Sequence, residues 1–234
     1  MSIAEKLTTI AENQQKVFDS GYKKGTGDFW DTVQANGTRT DYNMGFSSRG
    51  WTKDTFKPKY NISPRSAERM FYQFNYQSPK FDFVEHLNQL GVELDFSGMT
   101  YNTWSYTFGY MNVSRLGVLD LRGIKALQST FYNCPVERID KLIVNENNTY
   151  SNTFNMASSL TDITIEGIIG QNGFNVQWAT NLTPVSLRSI IDALKDYSED
   201  TSGTRWTLTI GTTNYDKLPT EDIEKAERKG WTLA

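Results

Sequence analysis

The chain has 234 residues, 38% of them hydrophobic and 31 of them aromatic, which is enough apolar surface for the core of one domain or two. Its net charge of −3 and pI near 5.3 argue against a nucleic-acid-binding surface, which normally shows a basic excess. The single cysteine, Cys134, excludes an internal disulfide, and no apolar run reaches the length of a membrane span.

The first residues carry Glu5, Lys6 and Glu12 where a secretory signal would need an unbroken apolar run, so no export signal is expected. Residues 2–19 read as a helix with Ser2 as N-cap and Ile3, Leu7, Ile10, Gln14 and Val17 at alternating spacings of four and three. That is a heptad seam with one polar layer, suited to assembling copies in fixed register. A helix this short is marginal alone in water, so the same face laid on its own domain is the competing reading. Gly21, Gly25 and Gly27 then loosen the chain, and Phe29, Trp30 and Val33 suggest a second short helix ending at Asn36-Gly37. Residues 41–70 read as irregular, and "SPRSAERMF" reads as a helical turn entered through Ser63 and Pro64. The basic side chains of residues 51–80 are expected in solvent, and His86 on the polar side of a helix.

From about residue 71 to 182 the sequence repeats. "YTFGYMNVSRLGVLDL" at 106–121 and "STFYNCPVERIDKLIV" at 129–144 share a Thr-Phe pair followed by aliphatic-x-x-aliphatic-x-aliphatic, and "NTFNMASSLTDITI" is a shortened third copy. Phe108, Phe131 and Phe154 recur every 23 residues, while Leu119, Leu142 and Ile163 are 23 and 21 apart, with Leu94 and Phe96 preceding them by 25. Side chains alternate across short strands, so Leu119/Leu121, Leu142/Val144 and Ile163/Ile165 are expected to form one aliphatic ladder, with Phe108, Phe131 and Phe154 as the opposite wall. A unit of this size cannot bury its apolar side alone, and stacking several gives one core. The expected fold is therefore α/β: a short, irregular leucine-rich-repeat-like solenoid of about four turns.

"TPVSLRSIIDALKDY" supplies an amphipathic helix entered at Thr183 and Pro184, "TRWTLTIG" a strand with Trp206, Leu208 and Ile210, and Thr220 a last helix closed by Gly230 before "WTLA" as an edge strand. The expected organisation is an N-terminal helical segment and connector at 1–60, the repeat region at 61–182 and an α/β cap at 183–234.

Several stretches, "MSIAEKLTTIAENQQKVFDSGYKKG", "FWDTVQANGTRTDYNMGF", the Trp51–Tyr60 run, "TDITIEGIIG" and "SLRSIIDALKDYSEDTSGTRWTLTIGTTNYDKL", resemble leucine-rich-repeat proteins of the BspA-like type encoded by bacteriophages and prophages. The resemblance spans nearly the whole chain. It implies a virion component, tail-associated or another appendage, that assembles with itself, with a trimer favoured by analogy, and with other virion proteins. It also implies an outward repeat domain toward a host-surface glycan or protein, while the charge and the lack of a long apolar run leave nucleic acid and membrane insertion unexpected. A bacterial BspA-like surface or interaction module is the alternative reading. The Gly21/Gly25/Gly27 cluster departs from the continuous helix expected of a stalk.

Neither a metal site nor a cofactor nor a catalytic residue is assigned, because one histidine and one cysteine cannot build an ordinary His/Cys site and no phosphate loop or nucleophile elbow is present. A glycan-degrading carboxylate pair depends on separation in space, so that enzyme class stays as a third reading. The stronger lead is aromatic density: residues 71–110 hold 12 of the 31 aromatics, and Trp104, Tyr106, Phe108 and Tyr110 share one parity. Core packing explains such a row. The competing expectation is that Tyr101, Trp104 and Tyr110 remain partly exposed as a ligand platform, so that Trp104→Ala abolishes binding without changing the melting temperature.

Overall fold

The computed structural model describes Phe46 and residues 51–58, 61, 62, 64, 67–96, 99 and 103–234. The seam positions Ile3, Leu7, Ile10, Gln14 and Val17, the expected helix around Phe29–Val33 and the platform residue Tyr101 lie outside the described residues.

The described chain is mixed α/β, with short parallel strands in small sheets and a few helices. After helix α1 (Phe83–Leu90), short and long strands alternate: β1 (Thr103–Ser105), β2 (Arg115–Asp120), β3 (Ala126–Gln128), β4 (Arg138–Val144), β5 (Thr149–Ser151) and β6 (Asp162–Gly167). The short strands pair in parallel as β1-β3-β5 and the long ones as β2-β4-β6. Trp104 stands opposite Leu127 and Leu127 opposite Tyr150 in the first sheet; Leu119 stands opposite Leu142 and Leu142 opposite Ile165 in the second.

The aliphatic-x-x-aliphatic-x-aliphatic pattern explains the long strands. A spacing of three cannot keep both residues on one face of a regular strand, so one extra residue must bulge outward. Leu116, Leu119 and Leu121 are buried in and just after β2, as are Ile139, Leu142 and Val144 in β4, while the residue pairs Gly117-Val118 and Asp140-Lys141 between them are more exposed. β6 lacks the extra residue, and its register against β4 shifts between Ile139 and Leu142. The third copy is therefore aligned differently from the sequence expectation: Ile163 faces Ile139 and Ile165 faces Leu142, not Val144. Val144 faces Gly167, whose φ of +99° and closeness to the Val144 carbonyl leave no room for a side chain. Leu94 does not extend this row either, since it bridges Ile62, and the bridge partner of Arg115 is Asp82.

Each short strand runs into a turn centred on a phenylalanine. The residues two before and two after it have positive φ: Tyr106 (52°) and Tyr110 (57°) about Phe108, Ser129 (51°) and Asn133 (46°) about Phe131, Asn152 (53°) and Met156 (59°) about Phe154. Alternate amides bond to the next turn, as Tyr106, Phe108 and Tyr110 donate to the carbonyls of Gln128, Thr130 and Tyr132 at 2.9–3.0 Å. The threonine before each phenylalanine is buried and donates its hydroxyl to a carbonyl of the preceding pass: Thr107 to Ala67 (2.7 Å), Thr130 to Trp104 (3.0 Å) and Thr153 to Leu127 (2.7 Å). This is why Thr-Phe recurs, since a buried hydroxyl needs a partner and each pass offers the same carbonyl.

The rings stack along the molecule with nearly parallel planes: Phe71 on Phe108 (5.7 Å, 5°), Phe108 on Phe131 (5.5 Å, 6°) and Phe131 on Phe154 (5.1 Å, 12°). Phe71 belongs to a turn of the same kind, with Arg69 (φ 51°) and Gln73 (φ 58°) on either side and their amides bonded to Ser105 and Gly109 carbonyls. The expected entry of a helical turn through Ser63 lies outside the described residues, and the positive φ at Arg69 corrects that expectation where it reaches Arg69–Phe71. The sequence lacks the Thr-Phe signature, with Met70 in the threonine place, yet stacking on the next pass selects the same backbone.

The C-terminal region follows from capping. Helix α2 (Pro184–Asp192) starts at Thr183, whose side chain accepts from the Ser186 amide, and the Ser186 and Ser189 hydroxyls accept from the amides of Ile163 and Ile165 at the open edge of β6. Strand β7 (Trp206–Leu208), the short helix α3 (Thr212–Tyr215), helix α4 (Thr220–Arg228) and strand β8 (Trp231–Leu233) follow, β7 pairing in parallel with β8. Tyr197 stacks on Trp206 (3.9 Å, 3°), with Trp231 beside them donating its indole N–H to the Lys195 carbonyl.

Candidate binding site

Of the three expected platform residues Tyr101 lies outside the described residues, and Trp104 and Tyr110 differ in burial. Trp104 is fully buried, packed on Phe96 (4.5 Å) and Phe108 (5.7 Å), with its indole N–H directed at the Met99 sulfur (3.1 Å); it is core, which corrects that expectation. His86 is also buried, contrary to its expected polar face, its Nε2 sitting 2.7 Å from the Phe56 carbonyl oxygen and its ring against Phe81. The expected core residues Phe108, Leu119, Leu121, Phe131, Leu142, Val144, Phe154, Ile163 and Ile165 are all buried.

Tyr110 is partly exposed, and the turns gather four more tyrosines around it. Successive passes set Tyr106 and Tyr110 between Tyr72 on one side and Tyr132 on the other, with ring centroids 5.4–5.9 Å apart, and Tyr76 lies 6.0 Å from Tyr110. The Tyr106 and Tyr110 rings both stand nearly perpendicular to Tyr72, at 89° and 85°. Edges and faces alternate, an arrangement that suits the aromatic quadrupole. Arg69 is exposed and lies over Tyr72 (5.7 Å) and Tyr106 (5.6 Å). Partial burial, and after it the neighbouring phenols led by Tyr132, hold the Tyr110 phenol above its ordinary pKa.

Gly109 makes the room. A Cβ there would stand 3.1 Å from Tyr106 Cδ1 and 3.2 Å from Tyr72 Cδ2, closer than carbon atoms comfortably pack. The matching position in the flanking turns carries Tyr72 and Tyr132, so the glycine lies between two tyrosines that its neighbours supply.

The polar positions of the long strands are chemically different. Arg115 donates to both oxygens of Asp140 (2.7–3.0 Å) and lies 3.5 Å from Asp82, Arg138 adds a second contact to Asp140, and Lys141 pairs with Glu166 (2.6 Å). These charges satisfy one another. A groove of about 550 Å³ between α1 and β2 is floored by Phe96, Leu116 and Leu119 and edged by Glu93, Asp95 and Asp120. Among the described residues no group of three or more His, Cys, Asp or Glu side chains is placed to hold a metal.

No family model, curated protein or solved structure matches the chain.

Sequence reasoning missed Arg69, Tyr72, Tyr76, Tyr106 and Tyr132. The signal was present: aligning the copies on Phe71, Phe108 and Phe131 puts Tyr72 and Tyr132 one residue after the ring and Tyr106 and Tyr110 two residues to either side.

Proposed function

We propose that the chain is a non-enzymatic structural protein of a bacteriophage particle, tail-associated or part of an appendage. In this reading the stacked passes are a short leucine-rich-repeat-like solenoid of BspA-like type that points outward, and the N-terminal segment assembles copies, as a trimer, onto other virion proteins. The origin of the reading is the resemblance of sequence; the observation that carries recognition is the tyrosine cluster, five partly exposed rings fixed on hydrogen-bonded turns. Aromatic side chains bring contact area with little rotamer entropy to lose. Several copies on one particle would convert weak single contacts into useful avidity.

The test is antibody detection of the chain in density-purified particles from the bacterium that encodes it, together with light scattering of the full chain. A chain that sediments apart from the particles, or that is monomeric at micromolar concentration, ends the virion-assembly reading.

A further inference from the structure

The tyrosine cluster is built against local backbone preference. Positive φ is costly for a large side chain and mild for asparagine, and each of the two later turns has asparagine at one of the two places: Asn133 matches Tyr110, with Ser129 at the other place, and Asn152 matches Tyr106, with Met156 at the other. Tyrosine at both places in one turn, with glycine between them to admit the rings, is the kind of local strain that concentrates at functional sites.

The chemistry of the ligand follows from charge and size. Arg115, Arg122, Arg138, Arg188 and Arg228 each have a carboxylate within ion-pair distance; among the described residues Arg69 and Arg205 have none, and of these two it is Arg69 that rests on aromatic rings. A guanidinium held over phenols is prepared for an anion beside an apolar surface. If each of the five rings leaves a third of its surface open, the patch presents roughly 330 Å². That is well short of the roughly 800 Å² per partner that a stable protein interface needs. It matches a few sugar rings.

We propose that Arg69, Tyr72, Tyr76, Tyr106, Tyr110 and Tyr132 form a binding site for an anionic polysaccharide, with sugar rings against the phenols and a carboxylate or phosphate on the Arg69 guanidinium. This rests on the reading of the chain as a surface-recognition protein and names what it recognises.

The experiment is calorimetric titration of the full chain with three probes: an oligogalacturonate, the same oligomer as its neutral methyl ester, and a glycerol-phosphate oligomer of the teichoic-acid kind. At least one anionic probe binds and the methyl ester does not, the two anionic probes separating a carboxylate ligand from a phosphate one. Arg69→Gln and Tyr110→Asn each weaken binding about tenfold, the cost of one charged or aromatic contact. Tyr110→Asn keeps the melting temperature because asparagine already serves that backbone in the next turn. Binding of neither anionic probe, equal binding of the methyl ester, or variants that bind like the parent overturns the proposal. Attachment of the chain to host cells is scored in parallel. Parent and variants attaching equally rejects this site and leaves the recognition reading standing; a parent that binds an anionic probe yet attaches to no cell keeps the site and ends that reading. Attachment destroyed by protease and untouched by periodate identifies a protein partner and overturns the saccharide.

Discussion

Replacing Trp104 with alanine tests the reassignment of the aromatic row most directly. The side chain is fully buried between Phe96 and Phe108, on the strand that pairs Trp104 with Leu127. A buried tryptophan removes about 150–250 Å² from water, and truncation to alanine forfeits most of it. At about 25 cal/mol per Å² that is roughly 4 kcal/mol, within the range of about 3–5 kcal/mol found for large aromatic truncations in cores. For a chain of this length the melting temperature should fall by roughly 10 °C. Urea unfolding followed by far-ultraviolet circular dichroism is the suitable assay, because tryptophan fluorescence changes with the substitution itself. A loss below about 1.5 kcal/mol would mean that the indole is not held as described, and the ligand-platform reading of Trp104 would return.

Gly167→Ala should destabilise by more than about 3 kcal/mol, since the new Cβ meets the Val144 carbonyl at a positive φ; a variant that melts like the parent would refute the close approach of β6 to β4. The Tyr150 hydroxyl is buried and has no hydrogen-bond partner among the described residues, so Tyr150→Phe should raise stability by about 1 kcal/mol. A loss of that size in urea midpoint would reveal a partner for the hydroxyl. Burial alone would raise the pKa of Asp140, but the hydrogen bonds and charges of Arg115 and Arg138 outweigh it and hold the carboxylate below its ordinary value. A group with a lowered folded-state pKa contributes stability above its unfolded value near 3.9, and that contribution is lost as pH falls through the folded value. Asp140→Asn should therefore cost up to about 1 kcal/mol at neutral pH and progressively less as pH falls through the folded value, and a pH-independent difference would argue against the ion pairs as its cause.

The sequence by itself determined the repeated core. Phe108, Phe131 and Phe154 and the aliphatic positions around Leu119 and Leu142 are readable because each pass must offer the same residue types to the pass beside it. Helix α2 was equally plain from Thr183, Pro184 and its apolar spacing. The alignment of the third copy was not, because one missing bulge residue changes which aliphatic side chains meet, and only pairing with β4 shows where the shift falls. The aromatic row needed tertiary structure most of all. Trp104, Tyr106, Phe108 and Tyr110 share a parity that would place them on one face of a strand, yet Trp104 and Phe108 are core while Tyr106 and Tyr110 reach the surface. The left-handed backbone at Tyr106 and Tyr110 breaks the strand alternation, and that conformation is imposed by hydrogen bonds to the neighbouring turn, which the local sequence does not contain.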